Sequence, residues 1–232
     1  LGIDNIAVWL KKFGLGEKTG VDLKDEASGL VPDREWKRSV YNQAWFPGET
    51  VITGIGQGYL LATPIQLAVA TAALANGGRL IQPRLLAYLE NAETGEVVMG
   101  PGAKVIGKLP IESSDFDVAV DGMIRVVHGL RGTARAISDG LPYRIAGKTG
   151  TSQLVSIKDE DGADGDSLPD HLRDHALFVA FAPVETPRLA LAIVVENAGS
   201  GSRAAAPIAR KILDYYFIER LRRANSKVKV ID

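Results

Sequence analysis

Helical spacing of apolar residues predicts four helices in this chain. The first covers Ile3–Phe13, and in the second Thr63 caps a helix that Pro64 opens and that runs to Asn76. This second helix is apolar almost all round, so we expect it to be buried. Residues 14–50 between them are rich in Gly, Pro and polar residues and are predicted as a long structured loop with one helical turn at Asp33–Arg38. The other two helices are predicted at Asp115–Val127, capped by Ser113 or Ser114 with Phe116, Ala119, Met123 and Val127 facing inward, and at Arg203–Leu221.

Short apolar runs predict a hairpin and three later strands. The hairpin joins Arg84–Glu90 to Val97–Met99, and the later strands are Arg144–Leu154, Ala176–Ala182 and Leu189–Glu196. The last two strands are separated by a short link, so they should pair antiparallel. We therefore predict an α+β fold whose antiparallel sheet is covered by the final helix on one face and by the Pro64 helix on the other.

Composition describes an ordinary globular chain. Hydrophobic residues make up 46% and charged residues 24% of the 232 residues, and the formal net charge of -1 gives no reason to expect nucleic acid as a partner. The absence of cysteine excludes disulfides, a thiol nucleophile and thiolate metal sites. No apolar run approaches the roughly 20 residues of a membrane span. No domain boundary is recognisable, so residues 1–232 are treated as part of one domain with a peripheral or disordered tail at 222–232.

The strongest chemical signal is the segment Gly147-Lys148-Thr149-Gly150-Thr151-Ser152. A phosphate-binding loop would need glycine at position 143, where tyrosine stands, and a helix afterwards, where a strand is predicted. A small-residue strand edge without any role is a second interpretation. The third is the K-T-G element of penicillin-binding proteins and serine β-lactamases, in which a strand beside the cleft offers a cation and hydroxyls to a carboxylate.

Several other segments, in the same order along the chain, resemble penicillin-binding proteins. The likeness to their class B members of cell elongation, the penicillin-binding protein 2 group, covers nearly the whole chain. The segments that carry it are Ile6–Gly14, Arg34-Glu35-Trp36-Lys37, Gly56-Gln57-Gly58, Thr63-Pro64-Ile65-Gln66-Leu67-Ala68, Gly132-Thr133-Ala134, Arg173-Asp174-His175 and Phe178–Pro183.

The resemblance implies roles for individual residues. Lys148 would supply positive charge, the hydroxyls of Thr149 and Thr151 would bind the carboxylate of a D-Ala-D-Ala stem peptide or a β-lactam, and Gly150 would keep the strand bare for the ligand. The backbone N–H of Thr151 would be an oxyanion donor. Structural roles are expected for Gly56, Gln57, Gly58, Gly132 and Thr133, and neither a metal nor a cofactor is expected.

The resemblance also implies that essential parts lie outside this chain. In the family an S-x-x-K motif supplies the nucleophile, and an S-x-N/D element follows it. We expect both upstream of Leu1, together with two strands of a five-stranded sheet, because Ser156-Ile157-Lys158 has the wrong spacing and Ser113-Ser114-Asp115 is better explained as a helix cap. The chain alone should then be inactive and should leave a strand edge open to self-association.

The function implied is peptidoglycan D,D-transpeptidation at the periplasmic face of the bacterial inner membrane, with an anchor upstream. Glycan polymerase and other elongation proteins are the partners that the family implies. The alternatives are a D,D-carboxypeptidase or β-lactamase of the same fold and a non-catalytic binding or scaffold fragment.

The three histidines are expected to be neither metal ligands nor catalytic residues. His171 and His175 are expected to be surface residues at the entrance of a strand rather than a zinc pair, and they end an acidic loop at about residues 155–175. His128 is expected to be a partner of the dipole at the end of its helix. The basic residues from Arg220 to Lys229 are expected to form a solvated helix end.

Overall fold

The computed structural model describes residues 1–153 and 169–220, and the chain forms two compact units, Leu1–Phe116 and Asp117–Asp232. The division falls inside a single helix, which explains why no linker composition marks it in the sequence. Throughout the described ranges, the helices are too short or too polar to cross a membrane. The acidic segment 154–168 and the tail 221–232 lie outside the described residues, so the predictions made for them stay predictions.

Four helices lie within the first unit. They are α1 (Ile3–Lys12), α2 (Arg34–Tyr41), α3 (Pro47–Gly54) and α4 (Pro64–Ala75). The predictions of α1 and α4 are confirmed, and the helical turn predicted at Asp33–Arg38 is the start of the longer α2. The loop predicted for the rest of residues 14–50 is wrong in part, because α3 begins within it. Both begin with local N-terminal signals: Asp33 Oδ1 accepts from Trp36 N at 2.8 Å, and Glu49 Oε2 accepts from Phe46 N at 2.8 Å.

A buried lysine joins α2 to α3. Lys37 is 1% exposed, and its Nζ is paired with Glu49. The same ammonium lies 4.6 Å from the centre of the Phe46 ring and 5.9 Å from those of Trp45 and Tyr59. A buried charge requires a counter-charge, and aromatic faces add to its stabilisation. The aromatic residues among residues 36–59 therefore form the packing of a small helical substructure rather than of a loop.

The start of α4 has the predicted cap. Thr63 N donates to Gln66 Oε1 at 2.9 Å and Gln66 N donates to Thr63 Oγ1 at 3.2 Å, which is a reciprocal capping box. Gln66 is fully buried, and its Nε2 also donates to the carbonyls of Glu17 and Ser28. Burial along the rest of α4 is uneven, with Val69, Thr71 and Ala73 buried and their neighbours half-buried, so burial all round is wrong.

Two small antiparallel sheets complete the first unit. The predicted hairpin is confirmed, although its first strand starts later than expected, and the pairing of the strands on either side of it was not predicted. Of these outer strands the first is mostly half-buried and the second mostly exposed, so neither carries the alternating apolar pattern from which strands are recognised. Strand β1 (Arg79–Gln82) pairs with β4 (Lys104–Lys108), and β2 (Tyr88–Glu90) pairs with β3 (Val97–Met99).

The second unit is built on the three predicted late strands. Its elements are α5 (Ser113–His128), which begins at the end of the first unit, β5 (Ala146–Ser152), β6 (His175–Ala182), β7 (Leu189–Val195) and α6 (Ala205–Asp214), which continues as a π-helical segment to Glu219. The strands lie in the order β5-β6-β7 and all pair antiparallel, as predicted. Helix α6 packs on one face, where Ala176, Phe178 and Ala180 of β6 meet Ala206 and Ala209.

Two details of α5 differ from the prediction. The helix begins at Ser113, so Ser113 and Ser114 form its first turn instead of preceding it. Phe116, Met123 and Val127 are buried as predicted, but Ala119 is exposed and its inward assignment is wrong. Helix α4 belongs to the first unit, where it packs against β1, and its cover of the main sheet stays a prediction.

Candidate functional site

The motif residues lie on β5, which is an outer strand of its sheet among the described residues. Lys148 and Thr151 are exposed, and Thr149 and Gly150 are half-buried. The register of β5 with β6 is regular, with Thr149 opposite Phe178 and Thr151 opposite Ala176. The motif is therefore at an accessible sheet edge.

The register also determines which backbone groups of β5 point away from β6. Ile145 N donates to Nε2 of His128 at 3.0 Å, so this N–H points outward, away from the sheet. Successive residues of a strand turn their backbone groups to opposite sides, so the N–H and C=O of Thr149 and Thr151 share this outer edge. The Thr151 N–H thus points to the outer edge of β5, and its role as an oxyanion donor stays a prediction.

The charged group reaches that edge from the other face of the sheet. Side chains alternate along a strand, so Lys148 projects to one face while Thr149 and Thr151 project to the other. Lys148 Nζ nevertheless donates to Thr149 O at 2.6 Å, on the outer edge. The cation therefore lies at the edge of β5 beside the outward backbone of Thr149, and a ligand carboxylate there would meet a charged donor.

Gly132 and Thr133 form the second part of the site. Thr133 Oγ1 lies 2.9 Å from Thr149 Oγ1, so the predicted structural segment contacts the predicted binding strand directly. A side chain at Gly132 would place its Cβ 2.5 Å from Arg125 O and closer still to Val126 O, at the end of α5. Only glycine fits there, and the fit fixes the start of the Thr133 loop. The same loop and the end of α5 line an open depression of about 540 Å³.

A contact that sequence reasoning missed lies on the inner side of β5. A Cβ at Gly201 would lie 2.5 Å from Gly150 O and closer still to Leu177 O, so the segment before α6 rests on the backbone of β5 and β6. Gly147 is constrained in a similar way, since its Cβ would lie 2.6 Å from the Phe178 ring. The Gly-Ser run at 199–202 was the only available signal, and it does not reveal which strand it touches.

The three histidines form hydrogen bonds with backbone and side-chain groups of the protein. Nε2 of His128 accepts the Ile145 N–H, and burial, with the nearby Arg144, lowers the pKa of His128. The ring is an acceptor and therefore neutral, so its assignment as a cationic dipole partner is wrong. Nδ1 of His175 accepts from Asn197 N at 3.0 Å, and Asn197 Nδ2 donates to His171 O at 3.0 Å. Residues 1–153 and 169–220 contain no group of three metal-binding side chains.

The remaining predicted residues, Gly56, Gln57 and Gly58, lie in the first unit just after α3. Gly56 has φ 81° and Gly58 φ 76°, conformations that glycine adopts readily, while Gln57 N donates to Ile52 O at 3.1 Å. They shape the connection between α3 and α4.

One S-x-x-K match was overlooked in the sequence. Ser226 and Lys229 have the required spacing, but they lie outside the described residues and follow K-T-G, which reverses the order in the family.

Comparison with known proteins identifies the fold. The family model described as "Penicillin binding protein transpeptidase domain" matches residues 1–214. Peptidoglycan D,D-transpeptidase MrdA of Haemophilus influenzae is 40% identical over 224 residues, which are 95% of this chain and 34% of that protein. The chain thus spans about a third of the length of this curated relative.

Solved structures agree with the family match. Pseudomonas aeruginosa PBP2 in complex with WCK 5153 superposes with a TM-score of 0.76 at 43% identity, covering 94% of this chain and 44% of that one. For PBP2 of Helicobacter pylori in complex with MreC the TM-score is 0.74 at 32% identity, with 93% and 36% covered. The chain therefore belongs to the family of penicillin-binding protein transpeptidase domains, and its relatives at about 40% identity are peptidoglycan D,D-transpeptidases of the penicillin-binding protein 2 type.

Proposed function

We propose that this chain carries the substrate-binding strand of a serine-type peptidoglycan D,D-transpeptidase of cell elongation. The observation that carries the proposal is the exposed strand β5, on which Lys148 Nζ contacts the outward Thr149 O, the Thr149 hydroxyl contacts Thr133, and the backbone of Thr151 points to the same outer edge. A penultimate carbonyl and a terminal carboxylate, as in D-Ala-D-Ala or in a β-lactam that mimics it, match this set of donors.

Each motif residue has a distinct part in the proposed reaction. A serine outside residues 1–232 attacks the carbonyl carbon of the penultimate D-Ala, its proton passes to a base, and the terminal D-Ala leaves with a proton on its nitrogen. The Thr151 N–H stabilises the oxyanion of the tetrahedral intermediate. Lys148, Thr149 and Thr151 hold the terminal carboxylate, and Gly150 lets the extended peptide lie along the strand.

The acyl group is then transferred from the serine to an acceptor amine, which cross-links two stem peptides. If water takes the place of the amine, the same site gives a D,D-carboxypeptidase or a β-lactamase. The proposed setting is the periplasm at the inner membrane, which is where cross-linking by the elongation machinery takes place. The PBP2 complex with MreC supports an MreC-like protein as a partner, and a glycan polymerase is proposed from the family.

Labelling by a fluorescent penicillin tests the proposal. The chain joined to the upstream segment with its S-x-x-K motif should be acylated. Thr149→Val should slow this by roughly 10- to 100-fold, because a hydrogen bond to a charged group is lost. Thr94→Val is the matched control, since Thr94 Oγ1 accepts from Glu96 N in the β2–β3 turn. No labelling of the joined protein would favour the scaffold alternative, and labelling of the 232-residue chain alone would contradict the external nucleophile.

A further inference from the structure

The proposed function determines which of the two hydroxyls, Thr133 or Thr149, is the donor in the hydrogen bond between them. Each threonine hydroxyl can donate one hydrogen bond and accept two, whereas a carboxylate can only accept. When Thr149 donates its proton to a ligand carboxylate, it has no second proton for Thr133. The 2.9 Å contact between the two Oγ1 atoms must then run from Thr133 as donor to Thr149 as acceptor.

The backbone on both sides of Thr133 is fixed by close contacts, which orients the Thr133 hydroxyl. On one side Gly132 is pressed against the carbonyls at the end of α5, where no side chain fits. On the other side Ala134 is 1% exposed, and its N–H donates to Val126 O at 3.0 Å. Thr133 itself is exposed, so its hydroxyl is placed by the backbone on either side of it rather than by burial.

Strand β5, which carries the acceptor Thr149, is also fixed by close contacts. Thr149 is opposite the fully buried Phe178 in the register of β5 and β6, and the ring of Phe178 lies over Gly147. Both ends of the hydroxyl pair are therefore attached to backbone that has little freedom, which is the condition for a preorganised hydrogen bond.

We propose that Thr133 is a positioning residue for carboxylate binding. Its hydroxyl donates to Thr149 Oγ1, selects the Thr149 rotamer and leaves the Thr149 proton directed at the terminal carboxylate of a stem peptide or β-lactam. A hydrogen bond received by Thr149 also polarises the one that it donates, since such bonds strengthen one another in a chain. The inference rests on the proposed function of β5 and assigns to Thr133 a role in ligand binding beyond the structural one expected for it.

A double-mutant cycle in the chain joined to its S-x-x-K segment tests this role. Thr133→Val should lower the second-order rate of penicillin acylation about two- to tenfold, the range expected for one neutral hydrogen bond. Thr133→Ser, which keeps the hydroxyl, should stay within about twofold of the wild type. In a Thr149→Val background, Thr133→Val should have no further effect, because the group through which it acts is gone.

Two results would overturn the role of Thr133. One is an equal loss from Thr133→Val in both backgrounds, which would indicate a general structural effect. The other is no loss in either background. If the wild-type joined protein is labelled and Thr133→Val behaves like it, the positioning role fails while the proposed function stands.

A second readout does not depend on activity. Three-bond NMR couplings to the Thr149 methyl carbon of the 232-residue chain report its χ1 rotamer. We expect a single rotamer in the wild type and in Thr133→Ser, and an averaged value in Thr133→Val. Unchanged couplings in Thr133→Val would refute the positioning role even if the joined protein were never acylated.

Discussion

Replacing Gly201 by alanine tests the contact between the segment before α6 and β5. The added Cβ would lie 2.5 Å from Gly150 O and closer still to Leu177 O, and both atoms belong to the backbone of paired strands. Carbon contacts are comfortable only from about 3.5 Å. The segment or the strand must therefore move by about 1 Å, because no flexible side chain is present to yield.

Overpacking of this kind costs about 1–3 kcal/mol in the free energy of unfolding. At about 2–4 °C per kcal/mol for a domain of this size, we expect Gly201→Ala to lower Tm by about 2–12 °C. Gly122→Ala is the matched control within the second unit, since Gly122 is in α5 with open space around its Cα, and alanine should raise or maintain Tm there.

Thermal unfolding followed by circular dichroism measures both variants. Penicillin acylation of the joined protein, measured well below Tm, should fall in Gly201→Ala because the displaced backbone carries Gly150 between the two threonines. A Tm for Gly201→Ala equal to that of the wild type, with Gly122→Ala behaving as expected, would show that the segment before α6 does not rest on β5.

Two further predictions concern groups that the sequence did not single out correctly. His128→Ala should lower the free energy of unfolding by about 1–3 kcal/mol at pH 7.5, because the buried N–H of Ile145 loses its acceptor. Since the folded state lowers the pKa of His128, the stability of the wild type should also fall as the pH drops below 6.5. A His128→Gln variant that shows the same pH dependence in chemical denaturation would refute this explanation. Lys37→Ala should lower the free energy of unfolding by about 2–5 kcal/mol because packing among the aromatic rings is lost, and Lys37→Met should lower it less because methionine keeps most of the side-chain volume. An equal Tm for the two variants would argue against this explanation.

The elements that the sequence predicted well are those whose signals are local. Thr63 and Pro64 mark the start of α4, and the apolar runs of β6 and β7 with their short link require an antiparallel pair. The K-T-G strand was placed correctly because small residues, a lysine and hydroxyls followed the expected order. The motif predicted a strand beside a cleft, and Lys148 and Thr151 are exposed on an outer strand among the described residues.

The elements that were missed depend on partners far along the chain. Strands β1 and β4 pair across the hairpin between them, and neither has a continuous apolar face. Only one helical turn of α2 was predicted and α3 was missed, because Lys37, which joins them, pairs with Glu49 in a segment that was predicted as a loop. The contact of Gly201 with Gly150 joins positions that no periodicity connects. Such contacts are determined by tertiary packing, which the spacing of residues in the sequence does not reveal.

The crowding at Gly147 and Gly201 has a consequence for how this family can vary. An added Cβ would meet the backbone of β5 and β6 at Gly201 and the buried Phe178 ring at Gly147, so substitutions are disfavoured at both positions. Thr133 and Thr151 are exposed, and under the proposed function a change of either hydroxyl would alter what the ligand meets without disturbing the sheet. Because Thr151 would also hold the substrate, we expect drift in drug sensitivity to accumulate at the outward Thr133 rather than at Thr151, while Gly147 and Gly201 stay fixed.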